Sequence, residues 1–295
     1  MKFKSQHPHY EYLKQQWTAK HKAASEKLLS NHGESLRHIA AGGLGGLILL
    51  TIPGIATNNN NHLWVSDGGI TKAEDKNALL ALALKDEVPT EVRKLSAEEE
   101  LNITTTLSEK LGVTVKPEID GIRLNRSYGL IGGEQHLYRY PGDSVYKHAD
   151  NTADWAMYGG AGVAPGLGAW GYFAPSEAAF TPQDKERERY YLAVQTFLAP
   201  GFAENVAKFR DFFKFRKMLV VNPKTGQAVV AVIGDAGPAE WTGKHLGGSP
   251  EVMHYLGLAE GPRKGSVLYF FIDDPQDKVP LGPINMKGGR ELASR

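Results

Sequence analysis

The chain reads as a mainly β C-terminal domain preceded by a small helix-and-strand segment and, further upstream, a transmembrane helix. Three observations carry this reading. Residues 217 to 272 run in the order strand, polar turn, strand, Asp-x-Gly-Pro, loop, short helix, Gly, strand. Ile39 to Ala56 contains no charge and follows Lys14, Lys20, Lys22, Lys27 and Arg37. Between these stretches, residues 72–124 show two helical patterns and then short apolar runs.

The hairpin comes first. Met218 to Val221 is apolar, Asn222-Pro223-Lys224-Thr225-Gly226 supplies turn chemistry, and Ala228 to Ile233 is β-branched and apolar. Their apolar, β-branched content predicts that both strands are substantially buried. Ser249 is then an N-cap, with Pro250 at the first helical position, Glu251 in the first turn and Gly257 placed to end the helix. Val267 to Ile272 returns as a strand.

Upstream, Ala73 to Val88 and Ser96 to Leu111 read as helices separated by Pro89, with Gly112 closing the second. Val113 to Val115 and Ile119 to Leu124 read as short strands. Residues 125–173 are dense in Gly, Tyr and Trp and read as loops and early strands of a domain spanning 125–295. Lys185 to Phe197 contains a charged start and then a buried strand, YYLAVQTF. Asn205 to Phe215 is a short helix or aromatic-rich loop.

Ile39 to Ala56 is near the lower length limit for crossing a bilayer. Charge bias then puts residues 1–38 in the cytoplasm as a polar tail, and everything after a 57–71 linker outside, as a single-pass membrane protein. A signal peptide cut after Ala56, or a buried glycine-rich helix, are the alternatives. Gly42, Gly43, Gly45 and Gly46 could let two such helices approach and form a homo-oligomer.

A net charge of +1 and the lack of a basic stripe exclude a nucleic-acid partner. The chain has no Cys, which excludes disulfides and thiolate metal sites. Gly159 to Gly171 is not a phosphate loop, since Gly-Lys-Ser/Thr is missing and Pro165 interrupts it. His136, His148 and Asp150 are suitable ligand types, but their spacing fits no metal motif, and neither a metal nor another cofactor is expected. Ser249 is a cap, not a nucleophile.

The elements Val229 to Ile233, Asp235-Ala236-Gly237-Pro238, Gly243, Ser249 to Tyr255, Leu256-Gly257 and Val267 to Phe271 resemble the double-psi β-barrel shared by lytic transglycosylases of the rare lipoprotein A type, barwin-like proteins, expansins and family 45 endoglucanases. The match covers about a fifth of the chain; GLGAWGYF, with Trp170, looks like the start of the family's barrel. It implies a six-stranded double-psi barrel and a peptidoglycan or related glycan as partner. An acid/base carboxyl at Asp235 would cleave the strand without an activated water.

The family's strand His is represented here by Gln195, and its Asp-Arg-Gly-Pro arginine by Ala236. Glu134 and His245 are the candidate catalytic partners. Trp155, Tyr158, Trp170, Tyr172 and Trp241 could supply stacking faces for sugar, with Trp170, Tyr172, Trp241 and Gln195 as the substrate-binding candidates. The leading reading is an enzyme that cleaves peptidoglycan strands by lytic transglycosylase-type acid/base chemistry; a non-catalytic expansin-like wall-binding module and a structural surface protein are the alternatives. Asp235 could equally cap its loop by accepting backbone N–H bonds.

Overall fold

Six strands pair in a ring without an edge. A computed structural model describes residues 71–286. The strands are β4 (Tyr128–Gly133), β5 (Tyr191–Val194), β6 (Lys217–Val221), β7 (Ala228–Ala236), β8 (Leu246–Gly248) and β9 (Lys264–Ile272). Around the ring β4 pairs β9, β9 pairs β6, β6 pairs β7, β7 pairs β5, β5 pairs β8, and β8 returns to β4. The β4/β8 and β5/β7 pairs are parallel and the other four antiparallel, so this is a closed mixed six-stranded β-barrel.

The missing alternation in the hairpin has a simple cause: both faces of these strands are covered. Met218, Val220, Val229, Ala231 and Ile233 point into the barrel with Leu192, Val267, Tyr269 and Phe271. Leu219, Val221, Val230, Leu268 and Phe270 point outward. They meet Leu80 and Leu84 of helix α1 (Thr71–Leu84), and Ile103, Leu107 and Leu111 of helix α2 (Ala97–Leu111). Each such side chain contributes about 1.5–3 kcal/mol when fully buried.

Helix α2 starts on a capping box in which Ser96 and Glu99 satisfy each other's backbone N–H, and it ends on Gly112 in the left-handed conformation. Its buried Glu100 accepts from Ser127 Oγ at 2.5 Å and from Arg123 at 2.7 Å, tying the helix to the segment that enters the barrel. The expected strand over 113–115 is β1 (Val115–Lys116), which pairs with β9. The expected strand Ile119 to Leu124 is instead a small hairpin, β2 (Glu118–Ile119) and β3 (Ile122–Arg123), because Asp120 and Gly121 both take positive φ and reverse the chain.

Between β4 and β5 lies helix α3 (Thr152–Tyr158), which the aromatic and glycine content had hidden, and helix α4 (Pro182–Arg189), capped by Thr181. Helix α5 (Val206–Phe213) starts on Asn205, and helix α6 (Pro250–Tyr255) on Ser249, whose Oγ accepts from Val252 N. A last short strand, β10 (Gly282–Ile284), pairs with the start of β7 on the edge opposite β6.

Two expectations are corrected. The fold is a barrel with packed helices and added strands, and no helix among the described residues is long and apolar enough to cross a membrane. That finding removes the support for a transmembrane helix in the fold and for a single-pass membrane placement. The segment read as spanning, Ile39 to Ala56, lies outside the described residues, as do the 1–38 tail and the glycine run considered for oligomerisation.

The hairpin turn sits tightly under helix α1. Gly226 has φ +73°, and a Cβ there would stand 1.9 Å from the Asn77 carbonyl oxygen. Gly226→Ala should therefore cost more than the roughly 1–2 kcal/mol of a left-handed L-residue, because helix backbone must also move. Urea unfolding of the variant checks this; a smaller loss would mean that the helix is loosely held.

Candidate functional site

Asp235 lies on strand β7 itself, which continues past Ile233 to Ala236 and pairs Asp235 with Ala193 of β5 after a register shift. Its Oδ1 accepts from Ala169 N at 2.6 Å and from its neighbour Ala236 N at 2.8 Å. The first bond comes from the long connection between β4 and β5, which crosses the carboxyl here. The indole N–H of Trp170 donates to Ile233 O at 3.0 Å, and the Arg210 guanidinium lies 5.1 Å from the Trp170 ring centre while donating to Ala169 O. Residues 168–170 are thus fastened over Asp235 from both sides.

Burial pushes the Asp235 carboxyl above its ordinary range, and the two amide bonds pull it back only in part. The group is therefore more readily protonated than a surface aspartate.

Gln195, just past β5, is buried, and its Nε2 donates to Pro238 O at 2.9 Å and Lys244 O at 3.2 Å. One amide so clamps both ends of the 237–245 loop. Glu134 pairs with Lys244 Nζ at 2.8 Å. His245 accepts from Leu130 N at its Nδ1, 2.9 Å away, and its Nε2 faces Arg126. Burial, and then the Arg126 charge, lower its pKa. The three candidate catalytic groups are each committed to different partners, and none of these bonds links Glu134 or His245 to Asp235.

The aromatic candidates also separate. Trp170 packs against the barrel interior, whereas Tyr172 is partly exposed and Trp241 is 88% exposed. Trp155 stacks on Tyr146 at 5.0 Å, and Tyr158 meets His254 edge-on. Trp241 stands on the short turn Glu240–Thr242; its chain neighbour Thr242, but not Trp241 itself, lines a groove of ≈ 320 Å³ with Gly132, Gly133, Lys244, Arg263 and Lys264.

A second group of polar residues is buried in the β4–β5 connection. His136, His148 and Glu188 bring one ligand atom each to within 4.8 Å of one another. His136 Nδ1 lies 3.3 Å from Glu188 Oε1, and His148 Nδ1 lies 3.1 Å from Oε2. His148 Nε2 is 2.9 Å from Asp143, which Arg139 grips through its Nε and NH2. Burial alone would lower the His148 pKa, but its bonds to Asp143 and Glu188 outweigh that and raise it to about 9. Glu251 is pushed up to about 7 by burial and by the nearby Glu188 charge. Asp150, considered with the two histidines, instead pairs with Lys185 and Arg189.

Sequence reasoning missed Glu188, Asp143 and Arg139. Glu188 lies in the charged helix PQDKERER, which looks solvated, and its partners are 40 and 52 residues away. Comparison of the chain with protein-family models, curated proteins and solved structures gives no match.

The raised Asp235 pKa fixes a sign. A carboxyl that holds its proton more tightly when folded contributes stability below the unfolded value, about 3.9 for Asp, and loses it as pH rises through the folded value. Asp235→Asn keeps an Oδ1 acceptor but does not ionise. Its stability relative to wild type should therefore increase between about pH 4 and pH 7 in urea unfolding. A difference independent of pH would show that the carboxyl is not desolvated.

Proposed function

We propose that the domain is a double-psi β-barrel that binds a carboxylate-bearing glycan of the peptidoglycan class without cutting it. The barrel topology supports the first part. Strand β5 lies between β7 and β8, which the 237–245 loop joins, and β8 lies between β4 and β5, which residues 134–190 join. Two interlocked crossings of this kind are the mark of that barrel.

The observation that carries the binding reading is the exposed Trp241, next in the chain to Thr242 of a groove whose lining includes Arg263 and Lys264. An indole face stacks on the apolar side of a pyranose, and the cations suit the carboxylates of peptidoglycan. The Gln195 clamp and the Glu134–Lys244 pair fix the loop that presents Trp241. Asp235, crossed by residues 168–170, acts in this reading as the anchor of that crossing. One observation favours the cleaving alternative: the Asp235 carboxyl stays raised despite its two amide bonds.

Co-sedimentation with insoluble peptidoglycan tests the proposal. The full chain should pellet with it, and Trp241→Ala should weaken binding roughly fivefold, the equivalent of about 1 kcal/mol of aromatic contact. No pelleting, or an unaffected Trp241→Ala, would sink the reading. Mass spectrometry of the supernatant should find no 1,6-anhydro fragments; their release by wild type but not by Asp235→Asn would establish the cleaving alternative.

A further inference from the structure

We propose that His136, His148 and Glu188 form a divalent-cation site of the zinc type, separate from the glycan groove, which pins the β4–β5 connection to the barrel. The ligands would be the Nδ1 atoms of the two histidines and the Glu188 carboxylate. Two imidazoles and one carboxylate are a donor set that suits zinc, with a coordination position left for water.

The contacts on the two sides of the cluster differ in length. Charge-assisted N–H···O bonds run about 2.7–2.9 Å. The Asp143 side of the cluster obeys this, with Arg139 at 2.7 Å and His148 Nε2 at 2.9 Å. The Glu188 side does not, with its two imidazole contacts at 3.1 and 3.3 Å. Ligand atoms about 2.0–2.1 Å from a tetrahedral zinc stand about 3.3 Å apart. The three residues' ligand atoms lie within 4.8 Å of one another, close enough to share one ion.

The groups behind the ligands fit as well. A histidine that coordinates through Nδ1 carries its proton on Nε2, and ligating histidines commonly donate that N–H to a carboxylate. His148 Nε2 faces Asp143 Oδ2, and Asp143 is itself held by the Arg139 side chain and backbone N–H. Glu188 Oε1 is oriented by Leu137 N at 3.1 Å. All three ligands are buried, and the outer partner is present for His148 and Glu188, whereas His136 Nε2 is buried without one.

The three ligands come from different parts of one connection: His136 just after β4, His148 from the turn Val145–His148, and Glu188 from the last turn of α4. This stretch holds only short helices, and a chain without Cys has no disulfide to fix it. A bound cation would supply the missing cross-link, since metal binding to such a site is folding free energy.

The test uses the purified full chain, stripped with a chelator and titrated with zinc. Elemental analysis should find zinc retained after gel filtration, thermal unfolding should move up with zinc and down with chelator, and cobalt(II) should give the visible bands of a low-coordinate N/O site. The chain has ten histidines, so adventitious binding elsewhere is separated by variants. Glu188→Gln should lose the tight site, and Asp143→Asn should weaken it roughly 10–100-fold. If Glu188→Gln does not fold, the wild-type cobalt spectrum and the Asp143→Asn affinity decide. Zinc that neither survives gel filtration nor shifts unfolding in wild type, or cobalt bands of an octahedral aquo ion, would overturn the proposal and leave a buried network around a protonated His148.

Discussion

Closure of the strand ring is the constraint on which the rest of the structure depends. A closed barrel leaves no unpaired edge, but two of its six pairings here, β4/β8 and β5/β7, are parallel. Both pairs arise because two connections pass over an intervening strand: residues 134–190 join β4 to β5 across β8, and the 237–245 loop joins β7 to β8 across β5. Their position explains why Glu134, Asp235, Gln195 and Lys244 are spent on holding one segment to another. Glycine is required where such side chains fold back on a strand: a Cβ at Gly247 would stand 2.4 Å from Glu134 Cγ, and one at Gly132 would stand 2.3 Å from Lys244 Cδ.

The long crossing has to be fixed without a second apolar core of its own. Buried polar side chains lie along it instead: Arg139, Asp143, His148, Glu188 and His136. Removing an ion from water costs several kcal/mol after relaxation, and a partner must offset that. Such a group therefore tolerates few alternative arrangements. It specifies one docking of the connection on the barrel, and that docking also sets residues 168–170 across Asp235.

The parts of the fold legible in the sequence are those governed by neighbours in the chain. The Ser249-Pro250 start of α6, the Ser96 and Gly112 ends of α2, and the β6–β7 hairpin all follow from capping and turn chemistry within a few residues. Strand β8 follows from nothing local. Leu246-Gly247-Gly248 has little preference for extended structure and is a strand because β4 and β5 flank it. The extension of β7 through Asp235 has the same origin, since β5 supplies the partner. At the candidate site, the residue types were legible but their partners were not. Gln195 read as a substrate contact because nothing in YYLAVQTF shows that its amide meets two carbonyls from a loop more than forty residues on.

Asp235 shows how a structural and a chemical role compete for the same atoms. Oδ1 accepts two amide hydrogens, one from the crossing segment and one from its own strand, and such bonds favour the charged carboxylate. Burial favours the neutral acid, and it is the larger of the two effects. With both amides on Oδ1, a proton on this carboxyl belongs on Oδ2, which hydrogen-bonds no group among the described residues. Proton transfer to a glycosidic oxygen would thus have to pass through Oδ2 while Oδ1 holds the 168–170 segment in place. The loop that such chemistry would need to open is the loop that this carboxyl keeps closed.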